Sequence, residues 1–225
     1  MPSAAGISLF LLGLTCGIAL LTTTSYRRVT PLWLRWLLMA SGLFVMSRYV
    51  TMALFTAEEA PRYFLVLRPC WFATSVGLTL PSVFALDQLV RHPAMTPKKL
   101  LARFSPFLVA YGIVLLIANV VLVPDRFVGW AMHLGPGWQL LLSLTQGAFV
   151  LGFIGISVLL MRKVPSTPIR VAIGGLMAGH AYLGFDGLLL ALGQWYFRPF
   201  LYSEMLMLLA LWHAYETSAK LQSVA

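Results

Sequence analysis

Residues 139–161 read QLLLSLTQGAFVLGFIGISVLLM, 23 positions without a charge, and the run is closed by Arg162-Lys163. At 1.5 Å per residue a helix of that length crosses the roughly 30 Å of hydrocarbon in a bilayer. The basic pair marks where it meets water. Comparable apolar runs lie on both sides, at 5–23, 31–55, 63–90, 104–123, 170–192 and 199–216. The expectation is an all-α membrane protein, a bundle of seven transmembrane helices in one domain over 1–225. Composition agrees: of 225 residues 60% are hydrophobic and 10% charged, where a soluble domain has about a quarter charged. A water-soluble globule is excluded. Seven spans of about 22 residues leave loops of about ten, too short for a folded extramembrane domain.

The charge balance is +9, from 16 Lys and Arg against 7 Asp and Glu. In a soluble chain that excess would point to nucleic acid; in a membrane protein it is the excess of Lys and Arg in cytoplasmic loops. With the amino terminus outside and the carboxyl terminus inside, Arg27, Arg28, Arg35, Arg91, Lys98, Lys99, Arg103, Arg162, Lys163, Arg170 and Lys220 fall on the cytoplasmic side. Only Arg62, Arg126 and Arg198 fall outside. Eleven against three sets the orientation and leaves no nucleic-acid partner to explain. No basic residue precedes the first span, so it reads as a mature helix, not a signal peptide. The second span ends at Glu58-Glu59, and the third contains Pro69 and Pro81, each expected to kink it. Cys16 and Cys70 lie inside apolar runs and read as small buried hydrophobes. No internal repeat stands out.

A charge inside a span needs a partner or a wet cavity, which makes it a functional candidate. Four qualify: Arg48, Arg68, Asp186 and Glu204. Counted from the expected helix ends, all lie roughly 7 to 11 Å below the outer boundary. Two positive and two negative groups at one depth could form a structural network tying helices two, three, six and seven. They could also line an outward-open pocket whose arginines hold an anionic or carbonyl-bearing ligand, the two arrangements being compatible, or the arginines could snorkel to the boundary. His180, mid-way along the sixth span, reads as an interhelical hydrogen bonder, as do Gln146 and Asn119. Gly175 and Gly179, one turn apart, offer a smooth face for an internal contact or a dimer.

Several chemistries are excluded by what the spans lack. A retinal Schiff base needs a lysine in the middle of the last helix, and Lys220 lies past its expected end. A two-haem cytochrome needs paired intramembrane histidines, whereas His180 and His213 lie at different expected depths. A ceramidase-type zinc site would need more histidines, and Ser41-Gly42 lacks the first glycine of a rhomboid-type nucleophile motif. No cofactor and no metal is expected. An intramembrane lipid hydrolase using Asp186 or Glu204 as acid or base stays open as a third reading.

The order of features resembles the amino-terminal seven-helix sensor region of bacterial membrane histidine kinases. The features are Arg27-Arg28 after the first helix, a proline-containing third helix, a basic third-to-fourth loop, and an outer loop closing on Gly135-Pro136-Gly137-Trp138. The likeness covers nearly the whole chain, and the Gly-Pro-Gly-aromatic segment is its most specific motif. It implies a module in the plasma (inner) membrane whose outer half meets the stimulus and whose seventh helix transmits to a cytoplasmic output. The sequence reaches Ala225 without a kinase, cyclase or phosphodiesterase domain, so the output is expected from a separate partner protein. The leading expectation is therefore a non-catalytic, receptor-like module bathed in membrane lipids. The alternative is a structural or assembly subunit of a larger membrane complex.

Overall fold

The computed structural model describes residues 3–57, 63–91, 96–194 and 196–224; Glu58, Glu59 and Arg62 lie outside the described residues. Helix α1 (Ala4–Ser25) is followed by a single 3-10 turn and by α2 (Leu32–Ala57). A third rod is built from α3 (Phe64–Trp71), α4 (Thr74–Gly77) and α5 (Thr79–Val90). After α6 (Pro97–Ile117) come strands β1 (Val120–Pro124) and β2 (Trp130–Leu134), then α7 (Pro136–Lys163), α8 (Thr167–Ala191) and α9 (Leu201–Val224). The chain is 81% helical. Six helical segments, Ala4–Arg28, Leu32–Ala57, Phe64–Val90, Pro97–Ile117, Pro136–Lys163 and Thr167–Leu190, are long and apolar enough to cross a membrane, as a multi-pass membrane protein requires.

The seventh rod, α9, is the exception, and its surroundings give the reason. It packs against α1, α5 and α8, and Leu201, Met207, Leu208, Leu211, Ala214 and Tyr215 are buried along its length. A helix wrapped by its neighbours does not need a continuous apolar surface, so α9 can carry Glu204, His213, Glu216 and Lys220. The outer helices show the opposite pattern. On α1 the buried stripe is Ser8, Leu12, Thr15, Ala19 and Thr22, whereas Phe10, Leu14, Leu20 and Leu21 are exposed. Apart from Leu12, small and hydroxyl-bearing residues face the bundle, and large apolar ones face away, as expected where the surrounding solvent is hydrocarbon. The Thr22 hydroxyl donates to the Leu208 carbonyl of α9 at 3.0 Å, pinning α1 to the central helix.

Proline explains the interruption of the third rod, although the breaks fall beside the prolines and not at them. Pro81 has no N–H for the carbonyl four residues back, that of Gly77. Instead, the Ser41 hydroxyl of α2 donates to the Gly77 carbonyl at 3.1 Å. The two segments approach so closely that a Cβ on Gly77 would lie 2.2 Å from Val45 Cγ2. The Gly175/Gly179 face is likewise used within the chain: added Cβ atoms would meet Ala210 and Met207 of α9. A dimer would need a different surface.

The hairpin corrects the fourth expected span. Hydropathy carries that helix to Val123, but α6 stops at Ile117 and Val120–Pro124 pairs antiparallel with Trp130–Leu134, Val120 opposite Leu134 and Pro124 opposite Trp130. A run of β-branched valines ending in proline favours strand over helix. α6 also begins at Pro97, seven residues before the expected 104, with the Thr96 hydroxyl capping Lys99 N–H. At the loop of the hairpin, Gly129 has φ +70°, and a Cβ there would lie 2.2 Å from the Phe55 carbonyl. The hairpin thus sits against the end of α2.

Candidate functional site

The break between α3 and α4 prepares the site. Ser75 N–H bonds to Phe72 O, not to the Trp71 carbonyl four residues back, so the latter is left for another donor. Arg48 of α2 supplies it, through Nη1. Its Nε lies 2.9 Å from Glu204 Oε1 and 3.2 Å from Oε2. The Thr74 hydroxyl donates to Glu204 Oε1 at 3.1 Å, and the Trp71 ring centroid is 5.8 Å from the guanidinium carbon. Arg48 is 7% exposed and Glu204 1%. A buried ion pair of this kind is balanced only when its remaining donors and acceptors are satisfied, and here a carbonyl, a hydroxyl and an aromatic face do so.

This pair borders a cavity of about 440 Å³, within the size range of small-molecule sites. Its walls are mainly apolar, from Met52, Trp71, Phe72, Leu78, Leu142, Leu183 and Leu188. Ser143, Gln146 and Gly147 of α7 add a polar strip, and the Tyr111 hydroxyl of α6 fixes Gln146 by donating to its Oε1 at 2.6 Å. The hairpin contributes Asp125, Ala131, Met132 and His133, and the α8–α9 connection contributes Arg198, Pro199 and Phe200.

Arg198 is 2% exposed. Its Nε donates to the Ser8 hydroxyl at 2.7 Å and its Nη2 to the Thr56 hydroxyl, so it joins the ends of α1 and α2. Both partners are neutral, and among the described residues no carboxylate lies within ion-pair distance of it. Burial works against its charge and so does Arg48, whereas Asp125 supports it. Asp125 itself is engaged: its Oδ1 accepts from the backbone N–H groups of Phe127 and Val128 at 2.8 and 3.0 Å. Burial also holds the His133 imidazole below its usual pKa, with Asp125 pulling the other way.

No protein-family model, no curated protein and no solved structure matches this chain. The resemblance to kinase sensor regions therefore rests on the residues that carry it.

Of the four intramembrane charges, the structure brings Arg48 and Glu204 together and assigns Asp186 and Arg68 elsewhere. Asp186, 1% exposed, accepts from the Ser203 hydroxyl, which couples α8 to α9 beside Glu204 but outside the cavity lining. It also meets the Tyr196 hydroxyl, whose pKa is raised first by burial and then by this hydrogen bond. Arg68 turns away to α6, where it donates to the Ala118 carbonyl at 2.8 Å and to that of Leu116. Those carbonyls are left unpaired where a helix ends. Arg68→Met is accordingly expected to lower stability by about 1.5–3 kcal/mol. Hydrogen exchange should rise over the last turn of α6 while the cavity residues remain protected.

His180 is also not in the cavity; it is packed against Phe149 and Phe153, ring centroids 5.1 and 4.4 Å away. The Gly135-Pro136-Gly137-Trp138 segment links hairpin to helix. Gly135 is the N-cap of α7, Pro136 opens its first turn, and Trp138 packs against Val114, Ala118 and Leu134. It positions Gln139 and the polar strip beyond without lining the cavity itself. Arg198 is the site residue that sequence reasoning placed in an outer loop. Its signal was a single basic residue amid Tyr196, Phe197, Pro199 and Phe200, an aromatic setting unlike that of a solvated loop arginine.

Proposed function

We propose that the chain is a seven-helix receptor-like module, amino terminus outside, that binds a small molecule in this cavity. We further propose that it signals through a separate cytoplasmic partner. The observation that carries this reading is a ligand-sized, mainly apolar cavity bordered by an ion pair that ties α2 to the central helix α9. A ligand can shift a helix arrangement only if it binds one arrangement better than another. Anything that competes for the Arg48 guanidinium or the Glu204 carboxylate alters the link between those helices. From Glu204, α9 runs on to Glu216, whose carboxylate pairs with Arg28 at 2.9 Å at the opposite end of the bundle. Movement of α9 would be felt there, where the basic loops collect.

The alternative, a structural subunit of a membrane complex, is separated from this by one experiment. Native mass spectrometry of protein released gently from membranes should show wild type carrying a small molecule that Gly147→Phe lacks. Gly147 lines the cavity and an added Cβ there meets nothing within 4 Å, so a side chain can start from that position without a clash at its first atom. A stable multi-protein particle with no small molecule in either version would favour the subunit. Orientation is checked in a Cys16→Ala/Cys70→Ala background: Arg126→Cys should label from outside intact cells, and Lys163→Cys only after permeabilisation.

A further inference from the structure

We infer that the cavity takes a single-chain amphiphile with a carboxylate head, that Arg198 and not Arg48 receives the carboxylate, and that the chain lies along the apolar wall. This rests on the receptor reading above and narrows it to a ligand class. Three observations carry it. First, the two cavity arginines each use two N–H groups on partners among the described residues, and differ in whether their charge is met by contact with a carboxylate. Arg48 is committed to Glu204 and to the Trp71 carbonyl. Arg198 has one donor each on two neutral hydroxyls, out of the five N–H groups of a guanidinium. Among the described residues its direct partners are neutral, and Asp125 supports its charge only from beyond ion-pair distance; a buried cation so placed is costly and is best relieved by an anion, and the guanidinium fork suits a carboxylate.

Second, the backbone that presents Arg198 is strained. Arg198 has φ +52° and Phe200 φ +68°, two non-glycine residues in the left-handed region on either side of Pro199. Such conformations persist where the surroundings hold them, and they concentrate at ligand sites. Third, size and polarity fit. The cavity of about 440 Å³ lies within the size range of small-molecule sites, and its mainly apolar walls suit the alkyl chain of a mid-length acid. Thr56, bonded to Arg198, lies eight residues beyond Arg48 on α2, so the two arginines are set about 12 Å apart along that helix. A head at Arg198 therefore leaves a tail running past Met132, Leu142 and Leu183 toward the ion pair.

The test uses radiolabelled dodecanoate and the full chain in nanodiscs of zwitterionic lipid, read by scintillation proximity. Saturable binding is expected, with dodecan-1-ol competing at least about tenfold less well, the worth of a charge-assisted hydrogen bond. Arg198→Gln should weaken binding by about tenfold to a hundredfold, and Gly147→Phe should abolish it. Equal competition by the alcohol, or unchanged affinity in a folded Arg198→Gln, overturns the carboxylate assignment while leaving the cavity a binding site. Binding that survives Gly147→Phe places the acid outside the cavity and overturns the proposal. Absence of saturable dodecanoate binding also overturns it, whereas a co-purifying molecule of another chemistry would keep the receptor reading. Because Arg198 ties α1 to α2, the alcohol comparison on wild type decides the matter even if Arg198→Gln does not fold.

Discussion

Glu204→Gln is expected to lower stability by about 3–5 kcal/mol, the cost of leaving one member of a buried ion pair uncompensated. The amide retains the size of the carboxylate and still offers an oxygen to Thr74, so packing is little changed. What is lost is the countercharge to Arg48, which is 7% exposed and has no other acid within ion-pair distance among the described residues. Arg48→Met should also cost stability, because the Trp71 carbonyl then loses the donor that the helix break left it to find. The double variant Arg48→Met/Glu204→Met should recover much of the loss. Replacing both members by apolar groups removes the desolvation penalty together with the attraction. Thermal or denaturant unfolding of wild type, Arg48→Met, Glu204→Met and the double variant, in one lipid environment, gives the coupling directly. Additive losses would show that the pair is not an energetic unit. A double variant that is stable but no longer carries its small molecule would show that the pair serves ligand recognition, whereas one that keeps its small molecule would show that recognition does not depend on the pair.

The ion pair also shows where sequence reading succeeds and stops. Depth along a helix is countable at 1.5 Å per residue, so Arg48 and Glu204 could be placed at similar levels. Rotation was not read from the sequence; it is the folded chain that shows Ser41, Val45, Arg48, Met52 and Phe55 of α2 buried at helical spacing. α3 offers still less pattern to read, being only eight residues long with Leu65 and Val66 exposed within it. Arg68 there serves the end of α6, a place that exists only because α6 stops at Ile117. That stop was hidden by hydropathy, since Val120, Val121, Leu122 and Val123 are as apolar as a helix continuing through lipid. With the hairpin unseen, neither the seat of Arg68 nor the hairpin residues of the cavity could be anticipated.

Arg198 was hidden for a related reason. Counting loop charges treats every basic residue between spans as solvated, but this connection folds back over the bundle. There the Ser8 and Thr56 hydroxyls stand ready at helix ends. Hydroxyls inside apolar segments look unremarkable, because Ser and Thr satisfy themselves by bonding to the preceding turn. Thr15 and Thr23 do that here. Thr56 does it too, donating to the Met52 carbonyl at 2.8 Å, so only the folded chain shows which of these hydroxyls also accept from across the bundle.

His180→Phe is expected to raise stability, by about 1–3 kcal/mol, the usual cost of a buried polar group without a partner. His180 is fully buried, and among the described residues neither of its ring nitrogens has a hydrogen-bond partner. Its surroundings are aromatic: Phe149 meets it edge-on with planes at 69°, and Phe153 is tilted at 54°. A phenyl ring keeps the planar shape and those contacts while removing two unsatisfied nitrogens. The extra volume is the opposing cost, since a tightly packed core resists even one added group, so His180→Leu is the companion that separates volume from polarity. A higher midpoint of thermal unfolding in either variant would identify His180 as a liability carried by the fold. Should both variants fall well below wild type while His180→Gln holds, the imidazole must hydrogen-bond in the membrane, and the seam between α7 and α8 would then be a second polar site beside the cavity.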